Sequence, residues 1–210
     1  MKNLSEISLF HHLEASDLEE IDKHLILKEF KKNEVLIRMG DKVQELSIII
    51  EGSIEICSYD MNGNKKLITV LEEGDLFAES VAFDQEAISP FDIMAIQRLK
   101  VIQLSRTTIL NFPRQVLANL IGILATKNTF LTHKLECINK NTVKDRLYEV
   151  LNFYRFKQQS DCFTLPFNKT QLADYLCVNR SSLSREIHLM EKAGIIAINK
   201  QDYRLNPDYF

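Results

Sequence analysis

Residues 168–187, NKTQLADYLCVNRSSLSREI, constrain the fold of this chain more than any other stretch. They predict two short helices joined by a tight turn. Asn168 is suited to cap the first helix, with Gln171 three residues later returning a hydrogen bond as in a capping box. The turn is expected at 177–178, where Asn179 is suited to cap the second helix. Helices joined so closely must pack against each other.

The apolar residues of this stretch predict which helix faces are buried. Leu172 and Leu176 share one face of the first helix, four residues apart. In the second helix, spacings of four and three predict burial of Leu183, Ile187 and Met190. The polar residues that remain on the outer side of the second helix are Arg180, Ser181, Ser184, Arg185 and His188.

This arrangement is typical of a helix-turn-helix that inserts its second helix into the DNA major groove. Arg180 and Arg185 are each able to donate two hydrogen bonds to guanine O6 and N7. Lys169, at the start of the first helix, is placed to contact phosphate. The alternative is a helical hairpin whose arginines are only solvated. We favour binding to double-stranded DNA, because the caps, the turn and the outward arginines occur together at the required spacing.

The residues after the second helix predict a wing. Gly194 is suited to end that helix in the left-handed conformation. Residues 195–198 and 203–205 then form two short apolar stretches around Lys200 and Gln201. Two strands joined by a short turn complete the pattern of a winged helix-turn-helix.

The middle of the chain predicts a small antiparallel β-roll. Glycines separate its apolar stretches, and Asn62-Gly63 is a strong hairpin sequence. Several short strands at this spacing are typical of a roll or barrel. Between Phe30 and Leu104 the stretches with period-two character are 35–37, 46–50, 53–57, 66–71, 93–96 and 99–104.

A long helix is predicted from about Thr107 to Ile138, with a break at Pro113. Its apolar residues alternate at spacings of four and three, as in a coiled-coil seam, and Asn128 is a polar interruption that favours two strands in a fixed register. We therefore expect a homodimer, with a second possibility that the helix packs only on its own β-domain. The predicted seam consists of Leu117, Ile121, Leu124, Asn128, Leu131, Leu135 and Ile138.

Together these segments predict an α+β chain in three parts. Residues 1–106 form a sensory β-roll, 107–140 a dimerisation helix and 141–210 the DNA-binding domain. The last part contains 10 Lys and Arg against 8 Asp and Glu, whereas the whole chain has a net charge of −3. Since this excess is small, we expect weak non-specific affinity for DNA and dimeric binding to a two-fold symmetric operator.

Composition narrows the class further. No apolar run is long enough to span a membrane, and the N-terminus has no apolar secretory core, so a cytoplasmic protein without a membrane partner is expected. The four cysteines lack metal-site spacing, which argues against a metal centre and favours reduced, buried thiols. These cysteines are Cys57, Cys137, Cys162 and Cys177.

The order of a β-roll, a long seam helix and a winged helix-turn-helix resembles the bacterial cyclic-AMP receptor protein and fumarate–nitrate regulator (CRP/FNR) family. The resemblance covers nearly the whole chain. Its most specific pieces are the 172–185 block and residues 74–79, GDLFAE, which are similar to the GDxxGE opening of the family's phosphate cassette. It implies a cyclic-nucleotide-binding-like fold, a homodimer and an effector in the roll, with RNA polymerase left open as a further partner.

The chain departs from the cyclic-AMP-binding pattern at the cassette. Glu79 is present, but Ala78 replaces glycine, and Ser89-Pro90 stand where the family has Arg-Ser. No Lys or Arg occurs from Leu67 to Gln97, so a buried phosphate would have no local cation. The alternative is that Arg98 or Arg106 swings into the pocket and supplies the missing cation. We therefore expect weak cyclic-AMP binding or none. The pocket is expected to hold a neutral or apolar small molecule, or else to be filled by side chains such as Phe77, Phe83 and Phe91. The residues placed at this pocket are Phe77, Ala78, Glu79, Ser89, Pro90, Asn128 and Thr132.

Other sensing chemistries also lack the residues they need. No cysteine precedes Cys57, which argues against an iron–sulfur cluster. The histidines at 11, 12, 24 and 133 are too isolated to predict haem. The absence of histidine between residues 30 and 104 argues against a cupin-type enzyme, and we expect no catalytic activity. The alternative function is a cyclic-nucleotide-responsive module that regulates a protein partner.

Overall fold

The structure is a computed structural model, and it describes residues 4–63, 65–199 and 202–206. The chain divides into two compact units, Met1–Ala125 and Thr126–Phe210. The division into 1–106, 107–140 and 141–210 stays a prediction. Helix and strand content confirm the α+β class.

The first unit contains two four-stranded antiparallel sheets and several helices. Two 3₁₀ turns, Leu4–Glu6 and Ser8–Phe10, precede α1, Ala15–Asp22. The strands are β1 (Ile26–Phe30), β2 (Val35–Ile37), β3 (Glu45–Glu51), β4 (Ser53–Tyr59), β5 (Lys65–Glu72), β6 (Leu76–Phe77), β7 (Asp92–Ala95) and β8 (Leu99–Ser105). The helices that follow α1 are α2 (Glu79–Phe83), α3 (Arg106–Leu110) and α4 (Arg114–Ile138), which begins in this unit and ends in the second.

The two sheets face each other across the interior of the roll. One has the strand order β1-β8-β3-β6 and the other β2-β7-β4-β5. Alternation along β3 sends Ile49 into the interior, where Val101 of β8 joins it, and sends Leu46 and Ile48 to the opposite face. On that opposite face, Val116 of α4 belongs to the same buried cluster as Leu46 and Ile48.

Several predicted strands are confirmed, and some elements were missed. The hairpin at Asn62-Gly63 connects β4 to β5: Tyr59 pairs with Lys65, and the Gly63 N–H donates to Asp60 O at 2.9 Å. Gly63 has φ +79°, which accounts for glycine at this turn. The short β6 and the helix α2 were not predicted. The roll also begins earlier than Phe30, because β1 starts at Ile26 and pairs fully with β8.

The second unit combines the C-terminal part of α4 with three further helices and a small sheet. Its elements after α4 are α5 (Val143–Gln158), β9 (Cys162–Thr164), α6 (Lys169–Tyr175), α7 (Arg180–Lys192), β10 (Ile196–Asn199) and β11 (Asp202–Leu205). The sheet order is β10-β11-β9, so the two predicted wing strands are confirmed and a third, β9, was missed. Lys200 and Gln201, predicted between the wing strands, lie outside the described residues.

The cysteine prediction holds for half of the set. Cys57 and Cys137 are buried, whereas Cys162 and Cys177 are exposed. Cys162 lies on β9, an edge strand with only its central residue buried, and Cys177 lies in the turn between α6 and α7. The prediction of buried thiols was therefore wrong for Cys162 and Cys177, because strand alternation and turn position expose them.

Candidate nucleic-acid interface and effector pocket

The start of α6 is fixed by the predicted capping box. Asn168 Oδ1 accepts hydrogen bonds from the Thr170 and Gln171 N–H groups, each at 3.0 Å. Gln171 Oε1 accepts from the Asn168 N–H at 2.9 Å. The reciprocal bonds satisfy three backbone donors at this end of the domain, so the position of α6 is set by its own first turn.

The turn between α6 and α7 is a Schellman motif without glycine. Cys177 has φ +52°, in the left-handed region. Its N–H donates to Asp174 O at 3.1 Å, and the Val178 N–H donates to Ala173 O at 3.0 Å. From α5, the Arg146 guanidinium donates to Leu176 O at 3.0 Å, which ties the turn to the rest of the domain.

The second predicted cap is only half correct. Asn179 takes the N-cap position with φ −66° and ψ 137°, and its carbonyl accepts from the Leu183 N–H at 3.0 Å. Its side chain forms no capping hydrogen bond. The first N–H groups of α7 therefore gain nothing from this side chain and are available to an outside acceptor.

The faces of α7 are those predicted from its apolar spacing. Leu183, Ile187 and Met190 are buried. A Schellman motif at Gly194, φ +72°, ends the helix, with Ile195 N–H bonded to Met190 O at 3.0 Å. The opposite face is polar: Ser184 is half-buried, and the exposed residues are Arg180, Ser181, Arg185 and His188.

The second unit contains three further basic residues: Lys169, which was predicted to contact DNA, and Arg204 and Arg146, which were not predicted. Lys169 is exposed as the first residue of α6. Arg204 is exposed on the wing strand β11, and alternation with buried Tyr203 and Leu205 could have identified it. Arg146, which anchors the turn, has no local sequence pattern that indicates a partner 30 residues away. In the described part of the chain, no ion pair neutralises Arg180 or Arg185.

The last turns of α4 are held in the core of the second unit by an aromatic cluster. His133 is 6% exposed, stacks on Phe153 with ring centroids 3.9 Å apart, and shares a hydrogen bond of 2.9 Å between Nδ1 and the Tyr175 hydroxyl. Burial lowers the pKa of His133, partly opposed by the charge of Glu149. Burial also raises the pKa of the neighbouring Cys137 thiol to about 12, so that both groups are neutral at pH 7.

The predicted seam of α4 is partly covered and partly exposed. Leu117 and Leu124 pack against the core of the first unit. Ile121, Leu131 and Leu135 are 66%, 56% and 58% exposed. Ile138 is half-buried, and Asn128 is exposed. The chain itself therefore leaves an apolar stripe uncovered.

The predicted effector residues of the roll gather around the cassette. Phe77 and Ala78 line the interior core, and Glu79 is 4% exposed. Ala78 has φ +63°, a conformation that glycine adopts without strain. Ser89 is buried, whereas Pro90 is exposed.

Hydrogen bonds within the protein occupy the donors of the cassette's second half. The Ser89 N–H donates to Asp41 O at 2.9 Å, and the Ser89 hydroxyl donates to Phe91 O at 2.8 Å. Pro90 has no N–H, and the Phe91 N–H donates to Ser89 Oγ at 3.4 Å. An anion placed here would have to break these bonds.

Other predicted occupants of the pocket lie elsewhere. Asn128 and Thr132 are exposed and belong to the second unit, so their part in the pocket stays a prediction. Of the three phenylalanines predicted to fill the roll, only Phe77 does so. Phe83 packs against the core cluster on the opposite face of the sheet, and Phe91 is 37% exposed.

The two arginines considered as alternative phosphate ligands have other contacts. Arg98 forms an ion pair with Glu29, with Nη2 3.0 Å from Oε2. The Arg106 guanidinium lies over the Phe83 ring at 5.8 Å from its centroid. Either would have to give up its contact to approach the cassette.

The described residues contain neither a metal-ligand cluster nor a membrane-spanning helix. Across 4–63, 65–199 and 202–206, no three His, Cys, Asp or Glu side chains are grouped to hold a metal ion. In the same ranges no helix is long and apolar enough to cross a membrane.

Comparisons with known proteins divide the chain as the fold does. Residues 27–116 match the family described as "Cyclic nucleotide-binding domain", and residues 145–207 match "Crp-like helix-turn-helix domain". The chain is 21% identical over 192 residues to the cAMP-activated global transcriptional regulator CRP of Pasteurella multocida, covering 86% of this chain and 90% of the relative.

Two further similarities are informative in different ways. A cAMP-dependent protein kinase regulatory subunit of Mycosarcoma maydis is 32% identical over 78 residues, which span 37% of this chain and only 15% of that protein. A solved structure described as "OCPA complexed CprK" has a TM-score of 0.66 and 14% identity, with 92% of each chain covered. At that identity the likeness concerns the fold alone.

A cyclic-nucleotide-binding-like roll followed by a Crp-like helix-turn-helix domain defines a transcription regulator. The chain belongs to the CRP/FNR family.

Proposed function

We propose that this protein is a homodimeric regulator that binds double-stranded DNA sequence-specifically through α7. The observation on which this rests is the polar face of α7, where Arg180 and Arg185 project from a helix whose other face is buried. Such a helix presents a fixed array of donors to base edges in the major groove. Ser181, Ser184 and His188 add shorter polar contacts on the same face.

The uncovered stripe of α4 supports dimerisation. Ile121, Leu131 and Leu135 recur along one side of the helix with large exposed fractions. Burial of such side chains against a second α4 stabilises a dimer by about 1.5–3 kcal/mol for each fully buried residue. Asn128 would face its counterpart and fix the register. A two-fold dimer then requires half-sites about 34–36 Å apart on the operator.

The proposed effector of the roll is not cyclic AMP. The internal hydrogen bonds of Ser89 and Phe91 support this, together with the contacts already made by Arg98 and Arg106. A cyclic phosphate at the cassette would lose its hydration and gain neither a cation nor a free donor at these positions. Asn128 and Thr132 stay proposed contacts for an effector of another class.

A second candidate function is regulation of a protein partner without DNA. The similarity to a cAMP-dependent protein kinase regulatory subunit over 78 residues favours this second function. It does not explain the cationic outer face of α7, and the DNA experiment separates the two.

The experiment is selection of DNA sites from a random pool, followed by binding measurements on the selected site and on random DNA. Arg185→Ala should weaken the selected site by about 1–3 kcal/mol and random DNA much less, because a base contact is lost. Lys169→Ala should weaken both equally and lower the salt slope by about one, as expected for a phosphate contact.

Lys23→Ala is the matched control, because it removes one positive charge from the exposed residue that directly follows α1 in the first unit. It should leave both affinities unchanged. Failure to select any site would refute DNA recognition and favour the protein-partner function. A uniform loss for Arg185→Ala would reassign Arg185 to a phosphate.

A further inference from the structure

One guanidinium in the second unit joins the end of α4 to the turn of the helix-turn-helix. Arg146 Nε donates to Lys140 O at 2.9 Å, and Arg146 Nη1 donates to Leu176 O at 3.0 Å. A longer contact of 3.5 Å joins Nη1 to Cys177 O. We call these contacts the Arg146 clamp. Its two ends come from different parts of the unit, because Lys140 follows α4 and Leu176 ends α6.

The first end of the clamp is tied to the last turn of α4. The Lys140 N–H donates to Cys137 O at 3.2 Å, and Cys137 is itself buried in the core of the second unit. The Lys140 side chain pairs with Glu149 of α5, with Nζ 3.1 Å from Oε2. A displacement of the end of α4 therefore displaces the carbonyl that Arg146 holds.

Arg146 is itself held in place by the start of α5. Thr142 caps this helix: its Oγ1 accepts from the Asp145 N–H, and its carbonyl accepts from the Arg146 N–H, each at 3.0 Å. The Arg146 side chain is half-buried and takes part in none of the ion pairs found in the described part of the chain. A planar guanidinium holds two acceptors in fixed directions, so the clamp is a stiff connection.

The second end of the clamp lies at the residues from which α7 departs. Leu176 ends α6, and α7 begins at Arg180. The connecting residues 177–179 contain no glycine. The Val178 N–H donates to Ala173 O at 3.0 Å, which holds the middle of the connection against α6. The direction of α7 therefore follows the carbonyls that the clamp holds.

The exposed stripe of α4 and the clamp belong to one unit. Leu131 and Leu135, which the proposed dimer buries, lie on the part of α4 that is in the second unit. His133 and Tyr175 make another contact between α4 and α6. That contact holds the body of α6, whereas the Arg146 clamp holds the turn after it. Of these two connections, the clamp is the one that reaches the start of α7.

We propose that Arg146 determines which spacing of DNA half-sites the dimer accepts. This role rests on the proposed function, in which α4 forms the dimer and α7 reads the bases. The clamp fixes the direction of α7 relative to the end of α4, and two such ends meet in a dimer. It thereby fixes the distance and the rotation between the two recognition helices. Arg146 is a positioning residue, since it acts through α7 and reads no base itself.

The test measures the affinity of the full chain for three DNA duplexes. They are the selected operator, the same operator with two base pairs inserted between its half-sites, and a single half-site. The insertion moves one half-site by about 7 Å and turns it by about 70°. A stiff dimer cannot engage both half-sites after this change, so the native chain should bind the inserted operator about 100-fold more weakly than the selected one.

Arg146→Met removes every donor of the clamp and keeps the aliphatic stem. It should reduce the ratio of the two operator affinities from about 100-fold to about tenfold, because a loosened α7 meets the original spacing less well and the inserted spacing better. Arg146→Lys keeps the charge without the planar fork and should give an intermediate ratio. The matched control is Arg155→Met, which removes an arginine that pairs with Asp161 from the last turn of the same helix. It should keep the native ratio.

This ratio separates positioning from stability and from charge, because both operators meet the same folded protein with the same net charge. Equal ratios for the native chain and Arg146→Met overturn the proposal. So does a single half-site affinity for Arg146→Met well below that of Arg155→Met, which would make Arg146 a DNA contact. A native chain that selects no paired half-sites refutes the proposed function and the role of Arg146 with it, whereas paired half-sites with an unchanged ratio refute the role of Arg146 alone.

Discussion

Truncation of Leu131 to alanine should dissociate the proposed dimer while leaving the fold intact. Leu131 is 56% exposed in the single chain, so roughly half of its side chain remains to be buried by a partner. Full burial of leucine is worth about 1.5–3 kcal/mol, which leaves about 0.8–1.5 kcal/mol per chain. Because a two-fold dimer loses this twice, the dissociation constant should rise about 15- to 150-fold.

The choice of position matters for the fold. Leu124 belongs to the same seam but packs against the core of the first unit. A substitution there would reduce the free energy of unfolding as well as association. Phe156→Ala is the matched control, because Phe156 is an apolar residue 69% exposed on α5, outside the seam.

Sedimentation equilibrium over a dilution series measures the dissociation constant of each protein, and thermal unfolding checks the fold. A native chain that is monomeric at micromolar concentration would refute the seam. Equal dissociation constants for Leu131→Ala and Phe156→Ala would show instead that the chains associate through another surface.

Three further predictions concern the cassette, the aromatic cluster and the turn. Calorimetry should show weak cyclic-AMP binding or none, and a dissociation constant of about 1 μM or tighter would contradict this. The double change Ser89→Arg, Pro90→Ser should raise the affinity for cyclic AMP, and no gain would mean that the pocket is wrongly aligned. Because burial lowers the pKa of His133 from 6.5, the unfolded chain binds this proton more readily, and the free energy of unfolding should fall as pH drops below about 6.5. Denaturant titrations from pH 8 to 5 should show a smaller fall for His133→Gln, and an equal fall would exclude His133 as the cause. Cys177→Gly should raise the free energy of unfolding by about 0.5–1 kcal/mol, since relief of the left-handed backbone strain exceeds the added freedom of the unfolded chain. Urea titration measures this, and a lower stability would show that the thiol makes a contact that outweighs the strain.

Local rules predicted the helix-turn-helix well. The capping box of Asn168 and Gln171 and the burial of Leu183 and Ile187 follow from spacing alone, because they depend on neighbours within one or two helical turns. The Asn179 cap was wrong in its side-chain bond, since sequence identifies a suitable residue but not the rotamer that it adopts.

Local spacing rules could not predict elements without periodicity or contacts between residues far apart in the sequence. β1 has the sequence ILKEF and its first four residues are all exposed, so no alternation indicates a strand. Its pairing with β8 joins residues that are 69 to 77 positions apart in the sequence. The bond between His133 and Tyr175 spans 42 residues. Such contacts depend on the tertiary fold, and the pattern around either partner does not contain them.

The aromatic cluster at the end of α4 limits where the chain can be cut into separate fragments. His133 and Cys137 are buried among residues of α5 and α6, so a fragment that begins at residue 141 would expose apolar surface and lose the partner of the Tyr175 hydroxyl. A fragment that begins near Thr126 keeps both. Exchange of DNA-recognition domains between regulators of this kind should therefore be made within the long helix, near Gly122, where an exposed glycine already weakens the helix by about 1 kcal/mol relative to alanine.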